Sequence, residues 1–158
     1  MEFETAIQAL CDAGVDFVVI GGLSATLHGS AAITFDLDIF YARTQSNLRR
    51  IVAALEPYHP RPREFPPGLP FVWDEATVRN GSMLTLHTDA GDVDLLAEVA
   101  GLDSFDAVKA TAIEVQAFGR RICILDLPSL IRAKRAAGRP KDLLALPELE
   151  SLNDAGGG

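Results

Sequence analysis

Four aspartates stand in two pairs, each pair separated by one residue: Asp36 and Asp38 in "TFDLDIFYA", Asp92 and Asp94 in "GDVDLL". In an extended chain the side chains at i and i+2 leave the same face. Each pair therefore points together, while Leu37 and Val93 point the other way. Two carboxylates that close in an apolar setting do not both stay ionised unless a cation lies between them. A hard divalent ion with oxygen ligands, Mg²⁺ or Mn²⁺, resolves the conflict. If the two strands are neighbours, Asp36, Asp38 and Asp94 converge, and three acids can hold two metals for in-line phosphoryl or nucleotidyl transfer. The competing reading is a row of solvated acids on an edge strand.

The surroundings add a phosphate side to this metal side. "VDFVVIGG" is a short β-branched run stopped by Gly21 and Gly22, and "LSATLHG" follows as a short helix ending at Gly29. A glycine turn that opens a helix presents backbone N–H groups, which cradle phosphate. In "PSLIRAKRAAG", Lys134 lies four residues after Leu130 and three after Ile131. It thus rises from the packed helix face, not from the face of Arg132, Arg135 and Arg139. Glycine pair, short helix, acidic strand and later acidic strand, in that order, are far more specific than any one of them. Of the histidines, His28 at the end of the short helix reads as a structural hydrogen-bonding group. His59 and His87 have no ligand spacing to another His or Cys. Trp73 and the phenylalanines match core spacing better than a base-stacking platform.

These parts resemble the nucleotidyltransferase superfamily with a DNA polymerase β-like fold. The shared pattern is a hydrophobic residue, Gly, Gly or Ser, a spacer, then Asp, a hydrophobic residue, Asp or Glu, and a hydrophobic residue. Here it reads Ile20, Gly21, Gly22, thirteen residues, Asp36, Leu37, Asp38, Ile39. The nearer resemblance is to the bacterial branch of AbiEii-type toxin nucleotidyltransferases, which read like "GG-A--HG--R-T-DLDI", then "VDLL", then "L-K-A-GR-KD". The counterparts are "GGLSATLHGSAAITFDLDI", "DVDLL" and "LIRAKRAAGRPKDLL", in order over roughly residues 15 to 145.

The resemblance implies Asp36, Asp38 and Asp94 as metal ligands, with Asp94 also activating the acceptor hydroxyl. It implies Gly21 and Gly22 holding a triphosphate through backbone N–H groups, Ser24 nearby, and Lys134 meeting phosphate. Asp142 would orient Lys134 or a neighbouring arginine within the nucleotide site. The implied cofactor is Mg²⁺ or Mn²⁺ and the substrate an NTP. The nucleoside monophosphate would pass to a hydroxyl of a tRNA end, a protein or a small molecule such as an aminoglycoside, and a toxin–antitoxin member would have an antitoxin as partner. One position departs: the arginine expected two residues before Thr34 is Ala32. Arg120, Arg121 and Arg139 are the candidates to replace its charge. A non-catalytic binding module of a toxin–antitoxin pair is the alternative from another class, and a phosphohydrolase using the same acids is a third.

The elements that must position these residues are legible along the 158 residues, an ordinary single-domain length. "EFETAIQALCDAG" is a helix running to Gly14, and "SNLRRIVAALEP" an amphipathic helix with Ser46 as N-cap. "PYHPRPREFPPGLP" holds six of the nine prolines and reads as a stiff surface loop. "MLTLHTDAGDVDLLAEV" is a hairpin turning at Asp89-Ala90-Gly91. A helix near "SFDAVKATA", strands "IEVQAF" and "RICIL" about a turn at Gly119-Arg120, and helices "PSLIRAKRAAG" and "KDLLALPELESL" complete the chain. Pro128 suits the first turn of the former helix and Gly138 its end. The expected class is α/β (α+β), a mixed sheet flanked by helices with C-terminal helices. Residues 1–101 would form the nucleotidyltransferase core, 102–153 would pack on it in one compact domain, and 154–158 would be a flexible tail.

At 48% hydrophobic and 23% charged, the composition supports a real core. "MEFETAIQAL" lacks a basic leader region, and no apolar run reaches the roughly 18 residues of a bilayer span. Cys11 and Cys123 show no metal or CxxC spacing and read as core thiols. A cytoplasmic protein without membrane contact is expected. Net charge is −8, yet eight of the 14 basic residues fall between Lys109 and Lys141 against two acids, making that stretch +6. This asymmetry leans towards a phosphate-bearing acceptor; a solvated helix face is the plainer reading.

Overall fold

In the computed structural model, which describes residues 3–156, the apolar run before the glycine pair becomes the buried strand β1 (Phe17–Ile20). It follows helix α1 (Glu4–Asp12) and leads directly into helix α2 (Gly21–Leu27). Strand β2 (Asp36–Tyr41) returns antiparallel to β1, with Ile20 opposite Asp38. Helix α3 (Gln45–Leu55), edge strand β3 (Arg61–Pro62) and helix α4 (Glu75–Asn80) precede the hairpin of β4 (Met83–Thr88) and β5 (Gly91–Leu96). Helix α5 (Phe105–Thr111), strands β6 (Ile113–Ala117) and β7 (Arg120–Ile124), and helices α6 (Leu127–Ala137) and α7 (Pro140–Gly156) finish the chain. The described residues thus form a mixed α+β fold with one seven-stranded sheet in the order β3-β4-β5-β2-β1-β7-β6. The pairs β2·β5 and β1·β7 are parallel, and the other four are antiparallel.

Alternation along the central strands gives the sheet two apolar faces. Leu37, Ile39, Val93 and Leu95 join Ile7, Leu10, Ile51 and Leu55 of α1 and α3 on one side. Val18, Ile20 and Phe40 join Val108, Leu130, Ile131 and Leu149 on the other. Asp36, Asp38, Asp92 and Asp94 share the second face, where period 2 places them in line with Phe40 and Leu96. The acids therefore look towards the side covered by α6 and α7.

Several local expectations shift. The N-cap of α3 is Thr44, not Ser46: the Thr44 hydroxyl accepts from Asn47 N–H, and buried Asn47 ties the helix start to Asp16 and Ala42. The proline stretch carries a 3₁₀ turn (Glu56–Tyr58) and β3, whose one proline, Pro62, is tolerated at a sheet edge. Helix α4 was not foreseen; Asp74 caps it by accepting from Thr77 N–H. The β6–β7 turn falls one residue early, at Phe118 (φ 55°) and Gly119 (φ 71°), a pair of left-handed residues whose twist suits a two-residue hairpin. Phe35 lies before β2 and is 71% exposed, so the core reading fails for that phenylalanine. Of the expected tail, residues 154–156 belong to α7 and 157–158 lie outside the described residues. No described helix is long and apolar enough to cross a membrane.

Candidate functional site

Strands β2 and β5 lie side by side in register, Asp36 beside Asp92 and Asp38 beside Asp94. Asp38 and Asp94 face each other from adjacent strands, and Asp94 is only 7% exposed. Burial first, then the Asp94 carboxylate, then Asp36, push Asp38 up to about 7 against the pull of Lys134. That is the signature of two like charges sharing a partly dry site. Asp36 adds its charge from one row away. Asp92 is drawn off by His87, whose Nδ1 stands 2.8 Å from its Oδ1.

The glycine turn abuts this pair. Gly21 has φ +66°, and a methyl placed on it would lie 2.2 Å from Asp38 Oδ2. Only glycine lets the backbone approach the carboxylate this closely in that conformation. A methyl on Gly22 would meet Thr34 Oγ1 at 2.6 Å, so Thr34 closes the same turn. Ser24 is fully buried and donates its hydroxyl to the Gly21 carbonyl at 2.8 Å. It braces the turn from within.

Across from the acids, Lys134 of α6 and Arg139 of the short link to α7 meet on one carboxylate of α7. Asp142, fully buried, sits 3.4 Å from Lys134 Nζ and 2.6 Å from Arg139 Nε, and accepts the Arg139 backbone N–H at 3.2 Å. Burial works to raise the Asp142 carboxyl, but the Arg139 hydrogen bond and the charge of Lys134 hold it below the usual range. Arg139 and Lys134 both feel the Asp38 charge. Asp142 thus orients both cations and, being enclosed, is itself a positioning group. Of the three candidate arginines for the charge missing at Ala32, Arg139 is the one that feels the Asp38 charge. Arg120 and Arg121 are tied instead to Asp12 and Glu114.

Arg63, unforeseen in the sequence, reaches the acids from the proline segment. Its Nη2 stands 2.7 Å from Asp94 Oδ1, an oxygen shut off from solvent and without a well-aligned hydrogen bond. Partial burial opposes the charge of Arg63, yet Asp94, then Asp36 and Asp92, hold it above arginine's ordinary range. The signal available was chemical: a buried aspartate needs a cation, and "RPRE" was an unassigned source.

No protein-family model and no curated protein matches this chain.

Among the described residues, no three His, Cys, Asp or Glu side chains form a ready-made metal cage. The donors still fit Mg²⁺, which keeps waters and is bound through one or two carboxylates plus substrate phosphates. The facing Asp38 and Asp94 supply two such carboxylates, with Arg63 on one oxygen of Asp94. His28 is structural, its Nε2 2.6 Å from the Leu125 carbonyl oxygen. His59 pairs with Asp89 at the surface, and Trp73 packs on the core while donating to the Val52 carbonyl. Cys11 and Cys123 are free and half-buried, and burial pushes the Cys11 thiol up. The basic stretch is largely neutralised in place: Lys109, Arg120, Arg121, Lys134, Arg135 and Arg139 all pair with carboxylates. A cavity of about 720 Å³ lies at the other end of the strands, near Phe40, Met83 and Phe105, away from the acids.

Proposed function

We propose that this chain is a metal-dependent nucleotidyltransferase with a polymerase β-like core, of the AbiEii-type toxin kind. The observation that carries the reading is the in-register facing of Asp38 and Asp94 against the Gly21 turn, with Lys134 and Arg139 clasped opposite. Asp36, Asp38 and Asp94 would hold Mg²⁺ or Mn²⁺, which supplies charge neutralisation of the reacting phosphates. Backbone N–H groups at Gly21 and Gly22 receive the triphosphate, in a turn shaped by Ser24 and Thr34. Asp94 accepts the proton of the acceptor hydroxyl as its oxygen bonds to the α-phosphorus. The bond from that phosphorus to the bridging oxygen breaks, and Lys134 and Arg139 offset charge on the departing pyrophosphate.

The pairing of the basic stretch removes most of the free positive surface that would favour a tRNA acceptor. A protein or small-molecule hydroxyl is therefore the better-supported acceptor. The alternative, a nucleotide-fold binding module in a toxin–antitoxin pair, draws on Ala32, which is exposed and holds its N–H on Ser30. Labelled NTPs offered with Mg²⁺ and tRNA, protein or aminoglycoside acceptors separate the two. Transfer by the wild type that disappears in Asp36→Ala/Asp38→Ala supports the enzyme; nucleotide binding without transfer favours the module.

A further inference from the structure

The acids of the site are supplied by β2 and β5, yet the cation closest to them comes from the proline segment. Its stiffness has a local consequence. Pro62 pairs with Leu86 at the sheet edge, and Arg63 donates its backbone N–H to the Thr85 carbonyl at 2.9 Å. Arg63 Nη1 donates to the Leu86 carbonyl at 3.0 Å, while Arg61 stacks over Phe65 and bonds the Leu69 carbonyl. Thr85 is the β4 partner of Asp94, so the guanidinium is carried across the hairpin to a fixed point. Prolines reduce the freedom this segment must lose. The Arg63 side chain is 27% exposed and that of Asp94 10%, a pair too enclosed to be a solvated surface contact.

We propose that Arg63 is a positioning residue for Asp94: by holding the buried Oδ1, it turns the other carboxylate oxygen towards Asp38, where a divalent ion would be taken. This rests on the metal-dependent reading above. Groups that bond the far side of a ligating carboxylate fix its orientation, and their loss costs metal affinity. The opposite role, a resident cation that a metal must displace, requires Arg63 to occupy the oxygen facing Asp38.

The two roles give opposite signs in one experiment. Mn²⁺ affinity is measured by electron paramagnetic resonance on the full chain as wild type, Arg63→Met and Arg63→Lys, with circular dichroism to confirm folding. Positioning predicts affinity about 10–100-fold weaker in Arg63→Met, partly restored in Arg63→Lys. Equal affinity overturns the proposal, and tighter binding overturns it in favour of a displaced cation. Wild type that binds no Mn²⁺ defeats the metal reading itself, and the positioning role with it. A measurement free of variants accompanies these: the Arg63 side-chain NMR signals during Mg²⁺ titration. They stay slow to exchange if Arg63 remains on Asp94, whereas their collapse to solvent-like exchange contradicts the role.

Discussion

Replacing Asp38 by asparagine removes one of two facing charges without changing the side chain's size. In the folded chain the Asp38 carboxyl is raised from 3.8 to about 7. A rise of that size corresponds to about 4 kcal/mol at most. Because the folded value is the higher one, the native chain keeps a proton that the unfolded chain has already lost. Wild-type stability from this group therefore falls as pH climbs from about 4 to about 7, then stays level. Asp12, Asp74, Asp142 and Glu148 are held below their ordinary values; their contributions are present above about pH 4 and fade only below it. A comparison between pH 5 and pH 8 isolates Asp38. Since Asp38 is half-buried and keeps some water, about 2 kcal/mol of the ceiling is expected. At pH 8 in chelator, Asp38→Asn should be the more stable protein by that amount, melting roughly 4–8 °C higher for a chain of this size. At pH 5 the gap should be clearly smaller, because only part of the loss between the unfolded and folded values has then occurred. Urea unfolding at both pH values reads this directly. An asparagine variant equally displaced from wild type at pH 5 and pH 8, or less stable at pH 8, would refute the claim that two carboxylates share this site.

Gly21→Ala should lower stability by about 1–2 kcal/mol through its left-handed backbone alone, and more because the methyl collides with Asp38; a thermal melt measures the loss, and Mn²⁺ affinity should drop with it. Asp142→Ala leaves Lys134 and Arg139 without their shared carboxylate, and partial exposure of both cations keeps the expected cost to about 1–3 kcal/mol. Its signature is an acid limb: the wild-type advantage in urea should shrink as pH falls below the ordinary carboxylate range, towards the lowered value at which Asp142 takes up its proton.

Period 2 made the shared face of Asp36 and Asp38 legible, because Leu37 and Ile39 had to go to the other side. The glycine stop after a β-branched run likewise placed the Gly21 turn. The register between Asp38 and Asp94 was not legible: it depends on β5 inserting beside β2, a choice made by the whole sheet. Arg63 was hidden because a proline-rich segment has no hydrophobic period to say which way a side chain turns. Helix α4 was missed since its six residues bury only Val78, too little pattern to register. Thr44 rather than Ser46 caps α3 because Asn47, buried among backbone groups, fixes where the helix begins. The charge sum of the basic stretch misled for a related reason. A sum cannot see that Asp12, Asp16, Asp142 and Glu150, most of them distant in sequence, fold back onto those cations.

The most direct test is a crystal soaked with Mn²⁺ and a non-hydrolysable NTP, read by anomalous scattering. The expected result is a manganese peak between the carboxylates of residues 38 and 94, with the triphosphate lying on the turn at 21 and 22. A manganese peak elsewhere, or a nucleotide seated away from that turn, would contradict it.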